Sequence, residues 1–246
     1  VTTGDEAKAR ELLANAKALL LDFDGPICSV FAGLPAPTVA EQLRVVLADG
    51  GHTDLPESVA TTGDPFDVFR HAATLGDDEA RYVEAAFTAL EVEAIHTATP
   101  TPGAHDLIHA WHRSGRPLAI VSNNSVNAVE AYGSMHKISE YIGFISARSS
   151  HNPQALKPNS ELIALALSQL ASHRHEAVLI DDSVTDIEAA QGAKVPIIAF
   201  ANKKTKTAAL STRGPNALVT SLHEILGLQA APTIPGNTIN TNSLWL

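Results

Sequence analysis

Cysteine is nearly missing: Cys28 is the only one in 246 residues, so no internal disulfide forms and nothing marks a cross-linked secreted scaffold. Basic residues are scarce as well. Seventeen Lys and Arg stand against 27 Asp and Glu, for a formal net charge of −10. That balance excludes sequence-independent binding to nucleic acid, which needs a basic surface. It leaves room for a phosphorylated substrate, because a local cation or a bound metal can oppose the global field. No apolar run approaches the roughly 20 residues that span a bilayer. Residues 1–17 lack the basic start and apolar centre of a signal peptide, so a cytoplasmic protein without a membrane partner is expected. G-x-x-x-x-G-K-[ST] and G-x-G-x-x-G are both absent, which removes support for nucleotide binding of those kinds.

What is present is organised around Ala-Leu-Leu-Leu-Asp-Phe-Asp-Gly, residues 18–25. A short apolar run stopped by polar and turn residues suits a strand buried on both faces of a parallel sheet. Alternate side chains of an extended segment share a side, so Asp22 and Asp24 start out together. Two carboxylates that close repel unless a cation lies between them, which suggests a divalent metal; a helix N-cap or an Asp-Gly turn is the ordinary alternative.

Helical spacing precedes this strand over residues 4–17 and fills residues 38–96 after it. Thr38 and Glu41 fit a capping box, Asp64-Pro65 an N-cap followed by proline, and Asp77 or Asp78 a third cap. Val83, Ala86, Phe87, Leu90 and Ala94 recur at helical spacing. From Pro100 and Pro102 onward strand and helix alternate. Strands are expected over residues 117–121, 142–146, 177–180 and 195–200, and a short edge strand over 217–219. Helices are expected over 104–113, 126–135, 160–170 and 186–193. The fold class is therefore α/β, a doubly wound parallel sheet with an inserted helical cap. Residues 1–25 and 100–228 form the core, 26–99 the cap, and 229–246 an uncharged, Pro-, Asn- and Thr-rich flexible tail. Ligands of such sheets bind beyond the carboxyl ends of the strands, where Asp22, Ser122 and Asp181 end three of them.

Four features in this order, the Asp22-Phe23-Asp24-Gly25 tip, the Ser122 tip, Lys157 before a helix and the Asp181-Asp182 tip, resemble the haloacid dehalogenase-like superfamily of phosphatases and phosphotransferases. The resemblance spans residues 18–200 and puts the helical insertion where one branch carries its cap. It implies a Rossmann-like core and a phosphomonoester hydrolase acting on a small phosphorylated metabolite. It makes Asp22 the nucleophile that forms an aspartyl-phosphate and Asp24 the general acid and then base. It assigns Mg²⁺ to the Asp22 side chain, the Asp24 backbone carbonyl and Asp182, with Asp181 reaching the metal through water. Ser122 and amides of Asn123-Asn124 would bind phosphoryl oxygens, and Lys157 would balance their charge.

Pro26 and the Asn123-Asn124 pair depart from the usual company of these motifs. Asp24 itself argues against dehalogenase chemistry, whose members lack that carboxylate. No lysine stands between Pro26 and Thr99 to form the Schiff base that phosphonate cleavage wants. A phosphomutase using the same intermediate, and a non-catalytic phosphate-binding regulatory protein, remain as alternatives.

Other residues have ordinary readings. Asp186 suits a supporting or helix-capping role. His105, His109 and His112 lie on one helix face without an acidic or cysteine partner, which reads as a solvated face. Lys203-Lys204-Thr205-Lys206 reads as a solvated loop and Arg70 as a surface arginine. The oligomeric state is open; an apolar cap face or the Leu244-Trp245-Leu246 end offers surface for a homodimer.

Overall fold

In a computed structural model, which describes residues 3–226, the run Ala18–Leu21 is strand β1, preceded by helix α1 (Thr3–Asn15). The expected tail, residues 229–246, lies outside the described residues. After β1 come a short strand β2 (Cys28–Ser29), helices α2 (Ala36–Asp49), α3 (Glu57–Ala60), α4 (Pro65–Leu75) and α5 (Asp77–Ile95), and a returning strand β3 (Thr99–Pro100). Alternation follows: α6 (Ala104–Arg113), β4 (Leu118–Ser125), α7 (Val126–Met135), β5 (Phe144–Arg148), α8 (Glu161–Gln169) and β6 (Ala177–Asp181). The chain closes with α9 (Val184–Ala193), β7 (Ile197–Phe200), α10 (Lys206–Ser211), β8 (Ala217–Val219) and α11 (Leu222–Leu226).

Six strands form one parallel sheet in the order β5-β4-β1-β6-β7-β8. The order reverses at β1, so crossovers leave it in both directions and a crevice opens at its carboxyl end. Leu21 stands opposite both Ile120 and Ile180, which brings Asp22, Ser122 and Asp181 to nearly one level. All four β1 residues are buried because the side chains alternate between two cores. Leu19 and Leu21 pack with residues of α1, α6 and α7 such as Leu13, Ile108 and Tyr132. Ala18 and Leu20 pack on the other side with Ile163 of α8 and Ile187 of α9. That second core continues into the helical insertion through Leu43, Phe69 and Phe87.

Local details differ from the sequence reading where distant partners intervene. Helix α2 starts at Ala36 behind Pro35 with no side-chain cap, so Thr38 lies inside the helix and the capping box is not used; the prolines at 35 and 37 preset the entry. Asp64 does cap α4, accepting from the Phe66 N–H at 2.9 Å. Helix α5 begins at Asp77 behind Gly76 without a side-chain cap; Asp77 instead pairs with His151 at 2.7 Å. Strand β4 runs on past Ser122 to Ser125 through a bulge, because Ser125 still pairs with Arg148 of β5. The three histidines of α6 meet tyrosines on a face that stays partly open to water, His105 and His109 half-buried and His112 exposed. His105 Nε2 is 3.0 Å from the Tyr132 hydroxyl, and His109 and His112 lie against the Tyr141 ring. Arg70 is exposed and pairs with Asp67 at 3.1 Å.

Phe87 is fully buried at the centre of the insertion, edge-on to Phe66 at 4.9 Å between ring centroids. Phe87→Ala is expected to cost about 3–5 kcal/mol through lost burial and an unfilled cavity. At this chain length that lowers the melting temperature by roughly 10 °C in a thermal melt followed by circular dichroism.

Candidate active site

Lys157 stands before α8, and its ammonium reaches the end of β1. Its Nζ lies 2.8 Å from Asp22 Oδ1, 2.9 Å from Asp181 Oδ2, 2.9 Å from Asp186 Oδ1 and 3.1 Å from the Val121 carbonyl. The lysine is 2% exposed and Asp181 0%, so these contacts are out of water and only weakly screened. Burial opposes the charge of Lys157, yet Asp181, Asp186 and Asp22 outweigh it and hold the ammonium above its ordinary range. Burial likewise lifts the carboxyl of Asp181, while Asp186 stays below the usual range: burial works against it, but Lys157 and bonds from Asp181 and Ser183 prevail. Asp181 also accepts the Asp182 N–H at 2.7 Å. Ser183 caps α9, accepting the Asp186 N–H and donating back to the Asp186 carboxylate.

Asp22 is held by backbone and side chain alike. Its N–H donates to the Ile180 carbonyl at 3.0 Å, extending the β1–β6 ladder by one bond. Burial pushes its carboxyl up to about 7 against the pull of Lys157. Asp24 turns towards the insertion, where Oδ1 accepts the Val30 N–H at 2.9 Å; burial raises it to about 6. Gly25 between them and the insertion has φ +117°, and a Cβ there would lie 2.3 Å from the Asp182 carboxylate. The close approach of two chain segments requires glycine.

Asp182 Oδ2 accepts from Asn202 Nδ2 at 2.7 Å and pairs with Lys206 Nζ at 2.5 Å. The basic run is thus not simply a solvated loop: Lys203 and Lys206 line the crevice. This cavity, about 430 Å³, lies beside Asp24 and Asp182 and is walled by Ser29 and Phe31 of the entry stretch, Thr101 and Asn202. Thr101 fastens the return of the insertion, donating its hydroxyl to the Gly25 carbonyl at 2.6 Å and its N–H to the Ile27 carbonyl at 2.9 Å. A larger cavity of about 510 Å³, between Val46, Gly50, Tyr82 and Val83, lies among residues of the insertion and includes none of the acidic cluster.

Ser122 is buried at the end of the regular part of β4; its Oγ donates to Asn124 Oδ1 at 3.2 Å and accepts the Asn124 N–H at 3.3 Å. Asn123 uses its side chain on the Lys157 backbone, accepting the N–H at 2.8 Å and donating to the carbonyl at 3.2 Å. Two residues absent from the sequence reading stand behind this loop. Glu91 of α5 and Arg148 of β5 form a fully buried pair with Nη2–Oε2 at 2.8 Å. Glu91 falls in the buried row Val83, Phe87, Glu91, Ala94, and a charge breaking an apolar stripe was the available signal.

Asp22, Asp181, Asp182 and Asp186 offer carboxylate oxygens within 4.8 Å of one another. Lys157 engages Oδ1 of Asp22, and Lys206 with Asn202 engages Oδ2 of Asp182, so Oδ2 of the first and Oδ1 of the second accept no hydrogen bond among the described residues. A set of hard, crowded anionic oxygens fits a small divalent cation such as Mg²⁺.

The family model described as haloacid dehalogenase-like hydrolase matches residues 61–200. The chain is 22% identical to a phosphoglycolate phosphatase of Salmonella typhimurium, over 89% of this chain and 95% of that protein. Among solved structures it is similar to CbbY from Rhodobacter sphaeroides in complex with phosphate, with TM-score 0.59 and 23% identity over 85% of this chain and 96% of that one. A variant of CbbY in complex with xylulose-(1,5)bisphosphate gives TM-score 0.58 and 22% identity, over 84% and 95%. At these identities the solved structures speak for the fold.

The raised carboxyls have a measurable consequence. A folded-state pKa above the unfolded value means that the native state holds the extra proton, so stability falls as pH rises. For Asp22 this contribution is whole below its ordinary 3.8 and is lost as pH climbs through about 7. Melting temperatures of wild type and Asp22→Asn in chelator should therefore diverge between those limits. The variant gains on the wild type with rising pH, then runs parallel to it.

Proposed function

Because the chain belongs to the haloacid dehalogenase-like hydrolase family, we propose that it hydrolyses phosphomonoesters of small metabolites through an aspartyl-phosphate on Asp22. The observation that carries this reading is the single ammonium of Lys157 held 2.8 Å from the Asp22 carboxylate in a buried setting. Such a cation keeps part of the nucleophile ionised despite its burial and balances the charge of an approaching phosphoryl group. Asp22 would attack phosphorus with a carboxylate oxygen, while Asp24 gives its proton to the leaving oxygen. Raised to about 6, Asp24 carries a useful share of protonated acid near neutrality and can take the proton back from the water that cleaves the acyl phosphate. The Ser122 hydroxyl and nearby amides would donate to phosphoryl oxygens. Asp22, Asp182 and the Asp24 carbonyl would hold Mg²⁺, which supplies charge neutralisation of the phosphoryl oxygens. The helices of residues 36–95 would act as the cap that limits which leaving groups enter.

The crevice supports a narrower class of substrate. Its cationic lining is Lys203 and Lys206, on the side where the leaving group would lie beyond Asp24. Phosphoglycolate, named for the Salmonella relative, and the bisphosphate bound to CbbY each carry a second anion that such a lining suits. Esters with a carboxylate or second phosphate on the leaving group are the substrates we infer.

Phosphate release from a panel of monoesters with Mg²⁺, with and without chelator, tests the activity. Wild type should turn over at least one ester, and Asp22→Asn should lose at least about 10³-fold in kcat/KM. Full turnover in Asp22→Asn would remove the nucleophile, and phosphorylation without net release would turn the reading towards a mutase. For the substrate class, Lys203→Ala should lower kcat/KM for phosphoglycolate by about tenfold and leave ethyl phosphate nearly unchanged. Equal losses on both esters would count against a second anion site.

A further inference from the structure

We propose that Glu91 and Arg148 are positioning residues, a buried pair through which the helical insertion sets the loop after β4 and, with it, Lys157. The inference rests on the phosphoryl-transfer reading of Asp22, Ser122 and Lys157, but concerns residues outside that cluster. Both side chains are essentially out of water, Arg148 at 1% and Glu91 at 0% exposure, so the pair is no solvated surface contact. Five acceptors meet the five N–H groups of the guanidinium. They are Glu84 Oε1 at 3.2 Å, Glu91 Oε1 at 3.2 Å and Oε2 at 2.8 Å, the Asn123 carbonyl at 3.0 Å and Thr88 Oγ1 at 3.4 Å. Its face lies over the Phe87 ring, 4.2 Å from the centroid. Such a planar fork suits arginine and not lysine.

What the pair holds is the phosphate-binding loop. Glu91 Oε2 accepts the Ser125 N–H at 2.9 Å, and Oε1 accepts from Asn124 Nδ2 at 2.9 Å. Asn124 in turn brackets the Ser122 hydroxyl with its own N–H and Oδ1. Arg148 holds the Asn123 carbonyl, and the Asn123 side chain grips both backbone groups of Lys157. One route therefore runs from insertion helix α5 to Ser122, and another from β5 to the lysine beside Asp22. Fastening two packed lobes needs only apolar contacts, which Phe69 and Phe87 already supply. The buried charges instead meet the backbone and amide groups of three consecutive loop residues.

The test replaces both charges with apolar groups of similar size, Glu91→Leu with Arg148→Met, so that no lone charge stays buried. The full chain is then compared with wild type for hydrogen exchange without ligand, for vanadate binding by titration calorimetry, and for turnover with Mg²⁺. Circular dichroism and a thermal melt establish that the double variant is folded. The amides of residues 122–125 and 157 should exchange at least about tenfold faster, while those of β6 and β7 keep their wild-type rates. kcat/KM should fall roughly 10²-fold from misplacement of the donors, and vanadate binding should weaken in parallel because it reports the same trigonal-bipyramidal geometry. Unchanged exchange at the loop in a folded variant overturns the proposal. So does faster exchange with wild-type vanadate affinity, since the pair would then be a fastening only. Should the double variant fail to fold, Glu91→Gln, which keeps the volume and one acceptor, is read in the same arms. A wild type inactive on every ester sinks the hydrolase reading alone, because exchange and vanadate binding need no turnover.

Discussion

One buried ammonium governs this molecule. Lys157 draws Asp22, Asp181 and Asp186 to within 2.9 Å of a single nitrogen, although moving a charge out of water costs several kcal/mol per ion. Only near-complete pairing makes that tolerable, and pairing demands that the ends of β1 and β6, the first turn of α9 and the stretch before α8 arrive together. The switch in strand order at β1 supplies that meeting. Short side chains at the tips and a long one from the opposite wall then complete it.

The same demand explains why the surroundings are so closely tied. Each carboxylate that Lys157 leaves partly unbalanced has its own partner: Ser183 for Asp186, Lys206 and Asn202 for Asp182, the Val30 amide for Asp24. Burial still lifts Asp22, Asp24, Asp181 and Asp182 above the ordinary carboxylate range. Raised carboxyls gathered at one crevice are the mark of charge crowded out of water, which structural networks and functional sites share.

The helical insertion belongs to the site as well as to the wall above it. It shares the α8–α9 core through Leu43, Phe69 and Phe87, and Glu91 carries its influence to the residues around Ser122. Thr101 closes the other side against Gly25 and Ile27. Ser29, Phe31, Lys203 and Lys206 wall the crevice next to it, and no described helix is long and apolar enough to cross a membrane.

By itself the sequence determined what depends on residue type and near neighbours. The apolar run Ala18–Leu21, the Asp64-Pro65 helix start, the alternation after Pro100 and the family resemblance on Asp22, Ser122, Lys157 and Asp181-Asp182 are such features, since periodicity and capping act over a few residues. Tertiary structure alone decided the partners that are far apart along the chain. Arg148 meets Glu91 across 57 residues, Lys157 meets Asn123 across 34, and Lys206 meets Asp182 across 24. Nothing local distinguishes Lys206 from a solvated lysine, or tells that the Asn123 side chain meets the Lys157 backbone. The same holds for the contacts that the α6 histidines make with Tyr132 and Tyr141. Charge pairing in a dry interior is a property of which surfaces the fold brings together, and a linear pattern carries no record of that distance.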